Sequence, residues 1–430
     1  MSLLYSNDRP GVYPDSYYAA SVPPRAVLPA LDGDRRCDVC VIGAGYTGLS
    51  AALHLAQAGA DVTLIDAHRV GWGASGRNGG QMSGGQRVDA PDMAKMFGLD
   101  RARALWSLGE DAKALVKSLI AEHKMACDLK PGVAHMSQKP DGLEAYVETM
   151  ARDFGATGLS YIPRDAVASH VQTDAYAEGV LDQDAAHLHP LKYAIGLAEA
   201  CAAAGVRIYE NTRATALYRG DPAGVETTSG RITADHVILA ANGYHCDLVP
   251  EVAGRAMPIN NFILATEPLP NAGRDLIPSD IAVADAKFVV NYYRLSADGR
   301  LLFGGGESYG YRFPKDIKAF VRRPMLETFP QLAGARIDYG WGGTLAITVR
   351  RLPHLMRVTP NILSAAGYSG HGVALATLSG KLMADALLGQ ADGFETMAAI
   401  PQFPFPGGRV LRTPLLALAM SYYALRDRLR

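Results

Sequence analysis

The stretch Cys40-Val41-Ile42-Gly43-Ala44-Gly45-Tyr46-Thr47-Gly48, followed at a distance by Ile65-Asp66, constrains this chain more than any other part of it. Val39, Val41 and Ile42 read as a short buried parallel strand, and Gly43, Ala44 and Gly45 as the tight turn out of it. Gly43 supplies the turn, Gly45 lets a pyrophosphate approach the backbone, and Gly48 lets helix and strand close up. A helix opening at Tyr46 and Thr47 offers unpaired N–H groups and the positive end of its dipole to the phosphates. Leu49, Ala52, Leu53 and Leu55 recur at helical spacing and Gly59 sits where a helix ends. Val62, Leu64 and Ile65 then read as a second strand, with Asp66 and Ala67 at its end. A carboxylate there accepts hydrogen bonds from ribose hydroxyls and argues against a 2′-phosphate, so NADP is disfavoured while NAD and FAD stay open.

At 430 residues the chain exceeds one hydrophobic core, so two or three domains are expected. Lysine plus arginine (42) nearly balances aspartate plus glutamate (43), which leaves no electrostatic case for nucleic acid as a partner. Cysteines 37, 40, 127, 201 and 246 are odd in number and scattered, which argues against a disulfide framework and for a reducing, cytoplasmic setting. Cys37 and Cys40, three apart on a strand, should point to opposite faces, and no second pair or nearby histidine completes a metal set. No secretory signal opens the chain, and no run reaches the ~18 apolar residues of a membrane span. Residues 415–425, followed by Arg426, Arg428 and Arg430, are expected to pack on the body as a terminal helix rather than to lie on a membrane. Nothing in the sequence speaks to oligomeric state.

Residues 1–36, with several prolines and tyrosines, read as an arm wrapping the body. Apolar periodicity predicts a helix over 101–127 and another from Pro190 to a stop at Gly205. Short strand-like runs follow at 206–209, 214–218, 237–241, 262–267, 288–295 and 301–304, without intervening helices. A strand at 362–366 leading into a helix from Val373 restores the alternating pattern. The expected fold class is therefore α/β: a discontinuous Rossmann-like nucleotide domain (37–100, 176–250 and 345–395) carrying an inserted α+β substrate domain (101–175 and 251–344) on a mixed or antiparallel sheet. Residues 396–430 form a C-terminal segment.

Two further glycine-rich stretches carry chemistry. In Gly71-Trp72-Gly73-Ala74-Ser75-Gly76-Arg77-Asn78-Gly79-Gly80-Gln81, backbone passes close to a flat ring system and its linker, with Ser75, Arg77 and Asn78 as donors. Gly367-Tyr368-Ser369-Gly370-His371-Gly372-Val373 again leads glycines into a helix, a second dipole site able to stabilise negative charge on an electron sink.

These segments, with Ala240-Ala241-Asn242-Gly243 and Asn211-Thr212-Arg213-Ala214 between them, resemble the flavin enzymes of the D-amino-acid oxidase and glycine oxidase family, and within it the branch that oxidises γ-glutamylated amines. The branch resemblance rests on Ser16–Ser21, Gly73–Gln81, His187–Leu191, Tyr292–Leu295 and Pro404–Arg409. It implies FAD as cofactor, with Gly73, Ala74, Ser75, Arg77, Asn78, Gly79, Gly80, Gln81, Ala241, Gly243, Gly343, Gly370, His371, Gly372 and Val373 around it and Ala214 at the adenine. Amino-acid-oxidising relatives place a carboxylate-binding arginine four residues after the tryptophan that is Trp341 here; this chain has Leu345. Sarcosine-oxidase-like relatives place a lysine after the glycine-histidine-glycine turn, where this chain has Ala374, and a flavin-linking cysteine where it has Gly343. Non-covalent FAD is thus expected, with an amine substrate bearing no carboxylate beside its reacting carbon.

By the same resemblance a hydride equivalent passes from that carbon to flavin N5, the imine hydrolyses to aldehyde and ammonia, and oxygen yields hydrogen peroxide. Tyr292, Trp341 and His371 are the catalytic candidates, with Tyr244 and Tyr293 as further aromatic walls disfavouring the ammonium form of the substrate, and Glu267 and Glu307 as partners for a distal positive group. Two other readings stay open: an oxidase of amino acids or N-methyl amines, and a flavin dehydrogenase passing electrons to a quinone.

Overall fold

A computed structural model describes residues 3–406 apart from 246, 247, 288, 309 and 311. The expected C-terminal helix, the last part of the Pro404–Arg409 stretch and Cys246 lie outside the described residues. Among the described residues, seventeen strands fall into two sheets.

The first, eight-stranded sheet contains β1 (Arg35–Ile42), β2 (Val62–Ile65), β7 (Arg207–Tyr209), β8 (Ala214–Tyr218), β9 (Ala223–Thr227), β10 (Arg231–Leu239), β16 (His354–Thr359) and β17 (Ile362–Ala366). Its centre is parallel, in the order β17-β10-β1-β2-β7. Buried on both faces, these strands are near-continuous apolar runs, as parallel sheets require. The helix Tyr46–Gln57 crosses from β1 to β2, and Gly372–Leu387 follows β17. The two helices touch at glycine, a Cβ on Gly380 lying 2.2 Å from the Thr47 carbonyl oxygen, and the first helix closes on its preceding turn at Gly48, where a Cβ would lie 1.9 Å from the Gly43 carbonyl oxygen. Leu49, Leu53 and Leu55 are fully buried beneath them, each such side chain contributing about 1.5–3 kcal/mol.

The second sheet contains β3 (Gln81–Met82), β4 (Lys130–Ser137), β5 (Leu159–Ile162), β6 (Glu178–His187), β11 (Met257–Pro268), β12 (Ala282–Asp285), β13 (Tyr292–Leu295), β14 (Arg300–Ser308) and β15 (Ile337–Ile347). It is mixed: β12 runs parallel to β4, and β11 pairs antiparallel with both β14 and β15.

Two expected boundaries move. β6 pairs with β3, β4 and β5, so residues 178–187 belong to the second sheet rather than to the nucleotide unit that was to resume at 176. The helix Leu99–Glu122, assigned by sequence to the insertion, buries Ala102, Leu105, Ala112, Val116 and Leu119 in the same core as Leu49 and Leu53. Its apolar stripe faces the nucleotide helices, which periodicity alone does not reveal. Cys37 and Cys40, expected on opposite faces, join one cluster with Ile42 and Leu239. Among the described residues no group of histidine, cysteine, aspartate or glutamate could hold a metal ion, and no helix is long and apolar enough to cross a membrane.

Candidate active site

The carboxyl ends of β1, β2 and β10 open onto a cavity of about 920 Å³, where a parallel sheet places its ligands. Every site residue expected from the sequence lines it except Ala44, Gly48, Gly243, Glu267, Tyr293 and Trp341. Ala44 donates its N–H to Asp66 Oδ2 at 2.7 Å, and Gly48 acts by letting the helix approach the turn. A Cβ on Gly243 would meet the Leu345 carbonyl oxygen at 3.3 Å, so that residue packs against β15.

At the nucleotide end, Gly43 has φ +111°, a backbone few side chains permit, and its Cβ would lie 2.7 Å from the Ala240 carbonyl oxygen. The helices Tyr46–Gln57 and Gly372–Leu387 both start at the cavity, and neither N-cap residue supplies a side-chain hydrogen bond. Thr47 Oγ1 and the Tyr368 hydroxyl, 2.8 Å apart, tie the two starts together. Two uncapped N-termini on one cavity suit a ligand with an anionic middle and a ring that gains charge. Asp66 is half-buried, and desolvation pushes its pKa up to about 6; Oδ2 and Oδ1 accept from the Ala44 and His68 N–H groups at 2.7 and 2.8 Å. Both oxygens keep acceptor capacity for ribose hydroxyls.

The Gly71–Gln81 loop is braced from within. Ser75 Oγ accepts from the Tyr46 N–H at 3.0 Å, and Asn78 Nδ2 donates to the Ala74 carbonyl at 3.0 Å while its Oδ1 accepts from the Gly80 N–H at 2.8 Å. Arg77 Nε donates to the Trp72 carbonyl and Nη1 to Asp8, each at 2.7 Å, while the guanidinium lies 4.3 Å from the Trp72 ring centroid. Arg77 Nη2 is buried with no partner, an orphaned donor in a residue that lines the cavity. Arg294 Nε holds the loop's end through the Gly79 carbonyl at 2.8 Å.

At the other end Tyr292 is clamped flat. A Cβ on Gly79 would lie 2.6 Å from its Cε2 and one on Gly304 2.1 Å from its Cζ. Its hydroxyl donates to Asn261 Oδ1 at 2.5 Å. Asn261 was missed by sequence reasoning; its signal is the pair Asn260-Asn261 set between the apolar residues Ile259 and Phe262 of β11. Leu345 and Ala374 line the cavity, as do Tyr244 and Glu307. Trp341 shares a face of β15 with Gly343 and Leu345 yet does not reach the cavity: it donates to the Arg77 carbonyl at 3.1 Å and packs edge-on against Tyr18. Tyr293 is a core residue stacked on Phe303. Glu267 lies outside the cavity, accepting the Arg336 N–H at 2.9 Å. His371 lines the cavity with Nε2 2.9 Å from the Gly84 carbonyl, so Nε2 carries the hydrogen; burial takes its pKa down to about 4. The arm contributes too, Leu4 lining the cavity and Ser21 Oγ meeting His189 Nε2 at 3.0 Å.

Residues 38–386 match the family model for FAD-dependent oxidoreductases. The chain belongs to that family. It is 43% identical, over 96% of its length and 98% of the other protein, to gamma-glutamylputrescine oxidoreductase of Escherichia coli. A probable oxidoreductase of Rhizobium meliloti is also 43% identical, over 96% of this chain and 97% of its own. Among solved structures, glycine oxidase from Geobacillus kaustophilus superposes with a TM-score of 0.68 over 83% of this chain and 95% of that one, at 20% identity. The fold is thus that of FAD-binding oxidoreductases, and the chain is an FAD-dependent oxidoreductase of amines. The glycine turn at 43–45, both uncapped helix starts, Asp66 and the Arg77 donor fit FAD.

Proposed function

We propose that this enzyme oxidises the C–N bond of a γ-glutamylated amine of the γ-glutamylputrescine kind, giving an aldehyde, ammonia and hydrogen peroxide. The observation that carries the reading is the pair Leu345 and Ala374 on the cavity wall. Both are uncharged at the positions where relatives acting on amino acids and N-methyl amines carry cations. A substrate carboxylate buried against them without a partner would cost about 3–5 kcal/mol, which disfavours amino acids as substrates. The 43% identity to the gamma-glutamylputrescine oxidoreductase points the same way.

When bound, FAD supplies the acceptor for the hydride equivalent. The chain's own part is to hold, orient and desolvate. Ile259, Leu345 and the Tyr292 ring disfavour the ammonium form of the substrate and so raise the share of free amine. Tyr292, fixed by Gly79, Gly304 and Asn261, is the positioning aromatic; Trp341 supports the Arg77 backbone behind it. No described cysteine lines the cavity, which favours non-covalent FAD. Acid precipitation should release the yellow cofactor into the supernatant; flavin left on the protein would contradict this.

The deciding experiment is oxygen uptake by the holoenzyme with γ-glutamylputrescine, glycine, sarcosine and D-amino acids. The γ-glutamyl amine should win, with one peroxide per oxygen consumed. A better rate with any of the amino acids overturns the substrate assignment, and flavin reduction without oxygen uptake overturns the oxidase assignment.

A further inference from the structure

Past Gly84, whose carbonyl meets His371, the chain continues along the cavity through Gln86, Arg87, Val88 and Asp89. Its course is set by close packing on the helix Leu99–Glu122. A Cβ on Gly85 would lie 2.6 Å from the Trp106 ring, and one on Gly109 2.2 Å from the Gly85 carbonyl oxygen. Gln86 Nε2 donates to the Leu105 carbonyl at 2.9 Å, and the helix Ala90–Phe97 begins directly after Asp89. Arg87 and Asp89 thus project from a rigid wall.

Several other charged groups lining the cavity are committed to the protein. Asp182 pairs with Lys113 at 3.0 Å, Asp92 with Lys95 at 2.7 Å and Lys287 with Glu327 at 3.6 Å, while Asp285 accepts from the Asn291 N–H at 2.9 Å. Arg87 and Asp89 differ: both are exposed, among the described residues neither side chain has a hydrogen-bond or ion-pair partner, and the Asp89 side chain does not cap the helix it precedes. Both share the cavity lining with His135 of β4, whose pKa is pulled down by burial, up by Asp89 and down again by Arg87. The Arg87 charge also depresses His371, which lines the same cavity.

An unpaired cation and an unpaired anion two residues apart on one cavity wall match a ligand end that carries a carboxylate and an ammonium on one carbon. We propose that Arg87 and Asp89 bind the α-carboxylate and α-ammonium of the substrate's glutamyl head, with Arg87 offering its planar fork to the carboxylate. The inference rests on the γ-glutamyl amine reading and deepens it. The substrate then does carry a carboxylate, held far from the carbon that is oxidised, and Leu345 faces none.

The test is binding of three amides that lack the substrate's distal amine to the holoenzyme, followed by the perturbation of flavin absorbance without bleaching, bleaching marking turnover: γ-glutamylbutylamide, glutarylbutylamide (no ammonium) and 4-aminobutyrylbutylamide (no carboxylate). Arg87→Gln should weaken the first two by roughly 10- to 100-fold and leave the third unmoved, as loss of a charged hydrogen bond predicts. Asp89→Asn should weaken the first and third and leave the second unmoved. Flavin content and melting temperature check that each variant folds. A uniform shift across the three amides, or none, overturns the assignment of Arg87 and Asp89. Failure of the parent enzyme to oxidise γ-glutamylputrescine is a separate outcome. It overturns the substrate reading, while the selective pattern on the amides would still establish an amino-acid-head site.

Discussion

At one end the cavity is lined by Gly43, Gly45 and the first residues of the Tyr46–Gln57 helix, whose backbone it exposes, whereas at the other it is lined by Tyr292, Leu345, Arg87 and Asp89. The first end tolerates almost no added atom, since a Cβ on Gly43 or Gly48 would fall within 2.7 Å of a carbonyl oxygen. The second end is assembled from β11, β13 and β15 and from a segment held on a helix, so its composition can change without disturbing the turns. A cofactor common to a family is read by the part that cannot vary, and a substrate by the part that can.

The largest effect should come from filling the first end. Gly48→Val puts branched carbon where only 1.9 Å separates an added Cβ from the Gly43 carbonyl oxygen. Overpacking of this kind costs about 1–3 kcal/mol, and here it also splays the turn that holds the pyrophosphate. The variant should purify without yellow colour and with a lowered melting temperature. A variant that retains full flavin would show that the backbone end is less exacting than the geometry requires.

Leu345→Arg strikes the second end and should leave flavin content intact. A half-buried guanidinium with no acid prepared for it should lower kcat/KM for γ-glutamylputrescine about tenfold or more, while narrowing the gap to glycine or a D-amino acid. Equal loss on all substrates would mean that position 345 only fills space. Tyr292→Phe is milder: it removes the hydroxyl that donates to Asn261 and keeps the clamped ring. A net hydrogen bond of about 0.5–1.5 kcal/mol corresponds to a fall of roughly two- to tenfold in kcat/KM, and no change would place the hydroxyl outside the reaction's demands.

The contrast between the ends also governs what could be read before the fold was known. The strand, turn, helix and acid at 39–66 were legible because each role is local and has a fixed spacing. Boundaries at 101 and 176 were misplaced because a helix's stripe or a strand's edge does not name its partner: Leu105 and Val116 pack toward Leu49, and β6 joins β4. Trp341 shows the same limit. Its parity on β15 is that of Leu345, but the Arg77 carbonyl and the Tyr18 ring close off that end of the strand. Asn261, Arg87 and Asp89 converge on the cavity from segments more than 170 residues apart, and no sequence window holds them together.

His371 gives the smallest expected effect and the sharpest test of the boundary between the two ends. It lies at the start of the Gly372–Leu387 helix, on the cofactor side, yet as a titratable side chain it is the sort of group that substrate chemistry uses. Its Nε2 hydrogen is committed to the Gly84 carbonyl, and burial holds its pKa at about 4, so at pH 7 it is neutral and its remaining nitrogen is a weak base. His371→Asn should therefore change kcat/KM by less than about threefold and leave the pH profile above pH 5 unaltered, a weak base contributing little general-base catalysis there. Stability should respond instead. A histidine titrating at about 4 when folded and near 6.5 when unfolded binds fewer protons in the folded state, so it costs stability as pH falls from about 6.5 towards 4. Removing it should flatten the fall in melting temperature across that window. A lost limb in the kcat/KM profile, with the melting curve unchanged, would make His371 part of the substrate chemistry and move the boundary to include it.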